Sequence, residues 1–283
     1  MAKTDWLSCE LVEDLQEAAE AGLPTIEFIN SIQGVTLPGL IEYGCAKWSQ
    51  QNLPPLPPTV SQTPLGKALE DVKSDLGLRT DGFQKRPPRT LTPQKQEFFV
   101  LEGSEPTTKS EWSEYLLRFR QSAKKMGFSS EKSLGIAAAL GEMADNAALH
   151  SNSQIGALVG YQILDRAIVC CVGDVGIGVF KSLHESGNYP ELHTHADALY
   201  TAIQDGATRF GPGKGGFGFR KVFKSLAAMW GTLRFRSGEG CVTIDGTDCD
   251  ADQGQKAFVL DRTGFQVTIC CRLENTSLPY PII

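Results

Sequence analysis

Two hydrophobic rhythms run along this chain, one with the period of a helix and one with the period of a strand. LVEDLQEAAEAG (residues 11–22) places apolar residues three and four apart and predicts a short helix ended by Gly22. PTIEFINSI (24–32) reads as a strand and LPGLIEYGCAKWSQQ (37–51) as a second helix. NLPPLPPTVSQTP then carries five prolines, which predicts irregular backbone and a boundary. KRPPRTLTP interrupts the pattern again, so the next unit is expected from about residue 97. There QEFFVLEG predicts a strand, and SEWSEYLLRFRQSAKKMGF predicts an amphipathic helix with Trp112, Tyr115, Leu116 and Phe119 on one side.

A second helix, SLGIAAALGEMADNAALH, has Ile136, Leu140, Met143 and Ala147 on one stripe. ALVGYQIL and AIVCCV predict a hairpin turning at Asp165-Arg166, and TLRFRSGEGCVTIDG another turning at residues 237–240. Between the hairpins lies a long glycine-bearing stretch, then a helix, FRKVFKSLAAMW; FQVTICCRL is the last strand. Helices alternating with hairpins predict an α+β fold, an α/β sandwich with helices on one face of a mixed, mostly antiparallel sheet. The organisation is a small α/β N-terminal region (1–60), a proline-containing connector (61–96), a main domain (97–276) and a tail (277–283).

Composition narrows the picture only a little. A net charge of -6 gives no domain-wide basic field, which disfavours a dedicated nucleic-acid binder but not a nucleotide site. The N-terminus has acids where a signal peptide needs an apolar core, and no apolar run approaches a membrane span, so a cytoplasmic protein without membrane association is expected. None of the eight cysteines forms a CxxC pair. Cys170-Cys171 and Cys270-Cys271 sit within strands, where neighbours point to opposite faces, and read as small core or sheet-surface residues. His184, His193 and His195 lack a completing carboxylate or cysteine cluster and read as solvent-facing.

Three stretches carry candidate chemistry. In GEMADNAALHS, Glu142, Asp145 and Asn146 share the face beside the apolar stripe. A solvated face would look the same; a functional one would let Asn146 give an amide oxygen to Mg²⁺ and Glu142 act as a proton acceptor one turn earlier. In VCCVGDVGIGVF, Asp174 ends a strand and is followed by Gly176 and Gly178. A carboxylate there accepts a hydrogen bond from an exocyclic amine, which adenine has and guanine lacks at that position, and glycines let backbone approach a flat ring. An ordinary turn has the same pattern. In RFGPGKGGFGFRKVF, glycines 211, 213, 215, 216 and 218 lead into a helix, where bare amides and Lys214 suit phosphates. A glycine hinge is the alternative, and neither a Walker A nor a Rossmann fingerprint is present.

The order of these pieces resembles the GHKL (histidine kinase-like, Bergerat-fold) ATPase superfamily over roughly residues 97–274. GEMADNAALHS looks like its N box, GDVGIG its first glycine box, and GPGKGGFGF with WGTLRFRSGEG its second. The resemblance implies ATP and Mg²⁺ as cofactors, Glu142 as general base and Asn146 as metal ligand. It implies Asp174 as adenine reader with Gly176 and Gly178 under the ring. Thr208, Gly213, Lys214, Gly215, Gly216, Phe217 and Gly218 then surround the nucleotide, and residues 179–214 form an ATP lid, expected to be mobile over 181–214 without nucleotide. Phe217, Phe219 and Trp230 depart from the usual pattern without touching the proposed chemistry.

No histidine precedes the N box, so a conventional autophosphorylating histidine kinase is not expected; only NTSLPYPII follows the last strand, so neither is a transducer domain. The lid stretch HADALYTAIQDGATRFGPGKGGFGF looks like stand-alone bacterial members, the anti-sigma serine kinases and their relatives, in which a helix with alternating Ala and Leu leads to G-x-T/S-R and then the glycines. PTIEFINSIQGVTLPGLIEYGCAKW weakly resembles part of a STAS domain, the usual partner of such kinases, but is too short for a whole one; the alternative is a simple α/β appendage that packs on the ATPase or on another protein. Two functions stay open: a serine/threonine kinase acting on a separate STAS-like partner, or an ATP-gated interaction switch that transfers nothing. A homodimer is compatible with either.

Overall fold

The computed structural model describes residues 5–25, 32–49, 53–63, 66–67, 89–92, 96–101, 110–153, 156–203, 229–245 and 255–274. The N-terminal part opens with β1 (Asp5–Leu7), α1 (Cys9–Glu20), β2 (Ile32–Val35) and α2 (Leu37–Trp48). Ser8 caps α1 by accepting from the Leu11 amide, Thr36 caps α2 from Gly39, and Gly22 turns the chain after α1 at φ +68°. β1 and β2 pair in parallel as a small sheet of their own. The strand expected over 24–32 falls mostly on residues 26–31, which lie outside the described ones; the described strand there is β2, whose first residue is Ile32. The proline run is not wholly irregular either. Pro57 precedes a single turn, α3 (Pro58–Ser61), because a proline at the first helical position loses no hydrogen bond.

The main sheet has eight described strands. They are β3 (Arg89–Thr92), β4 (Gln96–Leu101), β5 (Ala157–Ile163), β6 (Ala167–Asp174), β7 (Thr232–Ser237), β8 (Gly240–Asp245), β9 (Gln255–Phe258) and β10 (Phe265–Arg272). Their order is β3-β4-β5-β6-β10-β7-β8-β9, and every described pairing is antiparallel, where a mixed sheet was expected. The two predicted hairpins form, and β10 inserts between them, welding β6 to β7. The main sheet starts at Arg89, inside the expected connector.

On one face lie α4 (Ser110–Met126) and α5 (Ser130–His150), with α6 (Gly178–His184) and α7 (His195–Ile203) toward β7 and β8. Ile136, Leu140, Met143 and Ala147 of α5 are all buried in this core with Trp112, Tyr115 and Phe119 of α4, as the helical spacing predicts. The Phe119 and Tyr161 rings pack 4.9 Å apart at the end of β5 remote from Asp174.

The second face corrects the expectation of a one-sided sandwich. α2 packs across β5, β6 and β10, so Ile41, Tyr43 and Cys45 meet Leu158, Val169, Cys171 and Cys270 in a second core. The N-terminal part is therefore a layer of the molecule, and the described architecture is helix–sheet–helix. The two cysteine pairs reflect this: Cys170 and Cys271 enter the first core, Cys171 and Cys270 the second. All four are buried free thiols whose pKa values burial raises, which makes them small core residues and poor nucleophiles. Among the described residues no helix is long and apolar enough to cross a membrane.

Candidate functional site

Asp174 closes a strand that is buried along its whole length. Alternation puts it on the α5 face with Val172, Cys170 and Ile168, whereas a side chain at Gly173 would strike Cys45 and Ile41 on the α2 face. The carboxyl is 1% exposed. Its Oδ1 accepts from the Gly176 amide at 2.7 Å, closing a tight turn, and its Oδ2 has no hydrogen-bond partner among the described residues. Burial pushes its pKa up to about 7, against the pull of the Gly176 and Phe265 amides. A buried, half-satisfied carboxyl costs free energy unless something donates to it.

The glycines beside it are obligatory. A Cβ on Gly176 would lie 1.9 Å from the Ser151 carbonyl oxygen, and Gly178 opens α6 at φ +75° with Ser237 Oγ 2.8 Å from where a Cβ would be. The Ile177 amide donates to that same Ser151 carbonyl at 2.7 Å. The glycine loop is thus tied to the C-terminal end of α5. Asn146, half-buried, precedes Ser151 by five residues, about 7.5 Å along the helix axis. Glu142 lies one further turn back and is exposed. Both stand off the buried stripe, on the helix that packs over β6. Asp174, Gly176 and Gly178 thus lie beside the C-terminal end of α5, the helix that also carries Asn146 and, farther back, Glu142. Thr208, Gly213, Lys214, Gly215, Gly216, Phe217 and Gly218 lie outside the described residues.

The Ala/Leu helix expected in the lid stretch is present as α7, and a second helix, α6, precedes it; Ala198, Leu199 and Ile203 are buried against β7 and β8. The alternating Ala and Leu positions of HADALYTAI serve this packing. Of the histidines there, His184 and His193 are exposed, while His195 is half-buried and packs 5.0 Å from the Phe180 ring.

An open cleft of about 800 Å³ runs beside the glycine loop, bounded by Trp48, Asn152, Ile177, Phe180 and Arg262. Gly176, Gly178 and Ser237 do line it, so the glycine loop forms one wall of the cleft, while Glu142, Asn146 and Asp174 lie outside its lining.

No family model matches the sequence, and no curated protein matches it.

Three residues that support the glycine loop were not legible in the sequence. Ser237 Oγ accepts from the Val179 amide at 2.9 Å and donates to the Gly264 carbonyl at 2.8 Å. Gln266 donates to the Asp174 carbonyl at 3.1 Å. Arg262, fully buried, donates to Glu42 and Gln16, more than 200 positions earlier. Ser237 had a signal in the S-x-x-G turn; an arginine in a turn ordinarily signals solvent.

An amide oxygen such as that of Asn146 is a hard donor of the kind Mg²⁺ takes, one or two protein oxygens serving it together with waters and phosphates. Among the described residues no group of three His, Cys, Asp or Glu could hold a metal by itself.

Proposed function

We propose that the chain is a Mg²⁺-dependent ATP-binding regulatory protein with a GHKL-type fold. The observation that carries this reading is the Asp174 carboxyl, buried with one oxygen unsatisfied beside a glycine loop tied to the Asn146 helix. Asp174 receives the adenine amine, and Gly176 and Gly178 leave room for the ring. Asn146 holds Mg²⁺, which neutralises phosphate charge. Glu142, exposed on the same helix, accepts a proton from water or from a hydroxyl of a protein substrate. The reading extends to serine/threonine phosphorylation of a separate STAS-like partner; a switch that binds ATP without transfer is the alternative within the same site.

Substitution at α5 tests this. Asn146→Ala should remove the Mg²⁺ dependence of triphosphate binding. Glu142→Ala should leave ATP bound while turnover falls roughly 10²–10⁴-fold. Mg-ATP binding and turnover equal to the parent in both variants would show that the two side chains only face water. Binding that survives with no turnover in the parent, and with partner affinity that differs between ATP and ADP, selects the switch.

A further inference from the structure

The end of β6 is gripped from both sides. Asp174 faces α5, while Gly173 lies against Cys45 and Ile41 of α2 and Val175 packs on the N-terminal core. The 261–265 turn completes the grip: a Cβ on Gly264 would fall 2.0 Å from the Asp174 carbonyl oxygen, and the Phe265 amide lies near the Asp174 carboxyl. This turn is held from the N-terminal part. Gln16 of α1 accepts from Arg262 Nη2 at 2.8 Å and donates through Nε2 to the Asp261 carbonyl at 3.0 Å. Glu42 of α2 accepts from Arg262 Nη1 at 2.9 Å and from Arg234 Nε at 3.0 Å. The Arg262 carbonyl in turn accepts from the Gly238 amide at 3.1 Å, next to Ser237, the pin of the glycine loop.

The geometry points to Gln16 and Glu42 as positioning residues for the base-reading end of the nucleotide site, acting through Arg262 and the 261–265 turn. The inference rests on the nucleotide reading above. It makes the N-terminal layer part of the site's machinery: whatever moves α1 and α2 moves the wall behind Asp174. The coupling is local because the chain of contacts is short and buried. Gln16 is 1% exposed, Glu42 2% and Arg262 0%.

Gln16→Ala in the full chain is the primary test, since it removes one of Arg262's side-chain acceptors and leaves Glu42 to pair its charge. Gln16→Glu separates the two Gln16 contacts: it keeps an acceptor for Arg262 and loses the donor to the Asp261 carbonyl. Phe119→Leu, at the other end of the sheet, is the control for general loosening. Two readouts are taken: the ratio of ATP to GTP affinity by calorimetry, and amide exchange of Ile177, Val179 and Gly238 without nucleotide. Gln16→Ala should lower the ratio and speed these three amides by about tenfold, the worth of one or two hydrogen bonds, and Gln16→Glu, which keeps only the bond to Arg262, should fall between Gln16→Ala and the parent in both. Parent-like values in Gln16→Ala, or changes matched by Phe119→Leu at equal loss of thermal stability, would overturn the inference. If the parent binds no adenine nucleotide, the nucleotide reading fails and with it the role assigned to Gln16 and Glu42; a selective change at the three amides would then mark only a mechanical link.

Discussion

Asp174 carries an energetic conflict: its carboxyl is buried, and one of its oxygens has no hydrogen-bond partner among the described residues. In the fold its carboxyl stays protonated up to about pH 7, while in the unfolded chain it ionises near its ordinary 3.8. Between those values the folded state holds the extra proton, so stability falls as pH rises and levels off above pH 7. The upper bound of this loss is on the order of 4 kcal/mol. Asp174→Asn should remove that slope, raising the unfolding free energy at pH 8 relative to pH 5 when both proteins are followed by urea denaturation. An unchanged slope would show that another group titrates. The same linkage predicts that a ligand donating to the ionised carboxylate binds more tightly as pH rises from 6 to 8. Only half of this was legible in the sequence. An acid before two glycines suggests a site; that the Phe265 amide faces its carboxyl and Gln266 donates to its carbonyl depends on residues far along the chain.

At the scale of elements, α5 and the glycine loop act as a unit. Leu140 is fully buried in the helix stripe, so Leu140→Ala should cost about 2–5 kcal/mol, while Glu142→Ala and Asn146→Ala should stay within about 0.5 kcal/mol. Thermal melts of the three variants separate packing from chemistry; equal losses would contradict the division of the helix into two faces. Gly176→Ala must push the Ser151 carbonyl away, with an expected cost of roughly 1–3 kcal/mol and loss of protection at the Ile177 amide. Amides of α7 should exchange slowly even without nucleotide, since Leu199 and Ile203 are buried. The described helices α1, α2, α4 and α5 and the two hairpins are legible because their periods are clear; the helix expected at FRKVFKSLAAMW lies almost wholly outside the described residues. β1, β3 and β9, of three or four residues each, are too short to display a period. α7 is legible as the Ala/Leu helix of the lid stretch, whereas α6, two turns opened by a glycine, is too short to show one.

The whole molecule depends on a buried charge cluster between its layers. Arg234, Arg236 and Arg262 meet Glu13 and Glu42 under the sheet. Burial alone would raise the Glu42 pKa, but the three arginines outweigh it and hold the carboxyl down at about 2. Its contribution to stability is thus full above pH 4.5 and is lost as pH falls toward 2. Glu42→Gln strands arginine charge and should cost about 3–5 kcal/mol, seen as a lower urea midpoint at pH 7 that converges with the parent at pH 2. A cost that persists at pH 2 would rule out the charge as its cause. The second core was foreshadowed by AIVCCV, apolar at every position, and VTICC, apolar but for Thr268, as strands covered on both faces are. What the sequence could not reveal was the cover, because helices near the N-terminus read equally well as an appendage. Calorimetry of the full chain with ATP and GTP in Mg²⁺, for the parent and Asp174→Asn, tests the central claim most directly. The account predicts ATP binding by the parent, far weaker GTP binding, and at least about a tenfold loss of ATP affinity in Asp174→Asn, the worth of a hydrogen bond to a charged group. Equal affinity for the two nucleotides, or ATP affinity unchanged by the substitution, would contradict it.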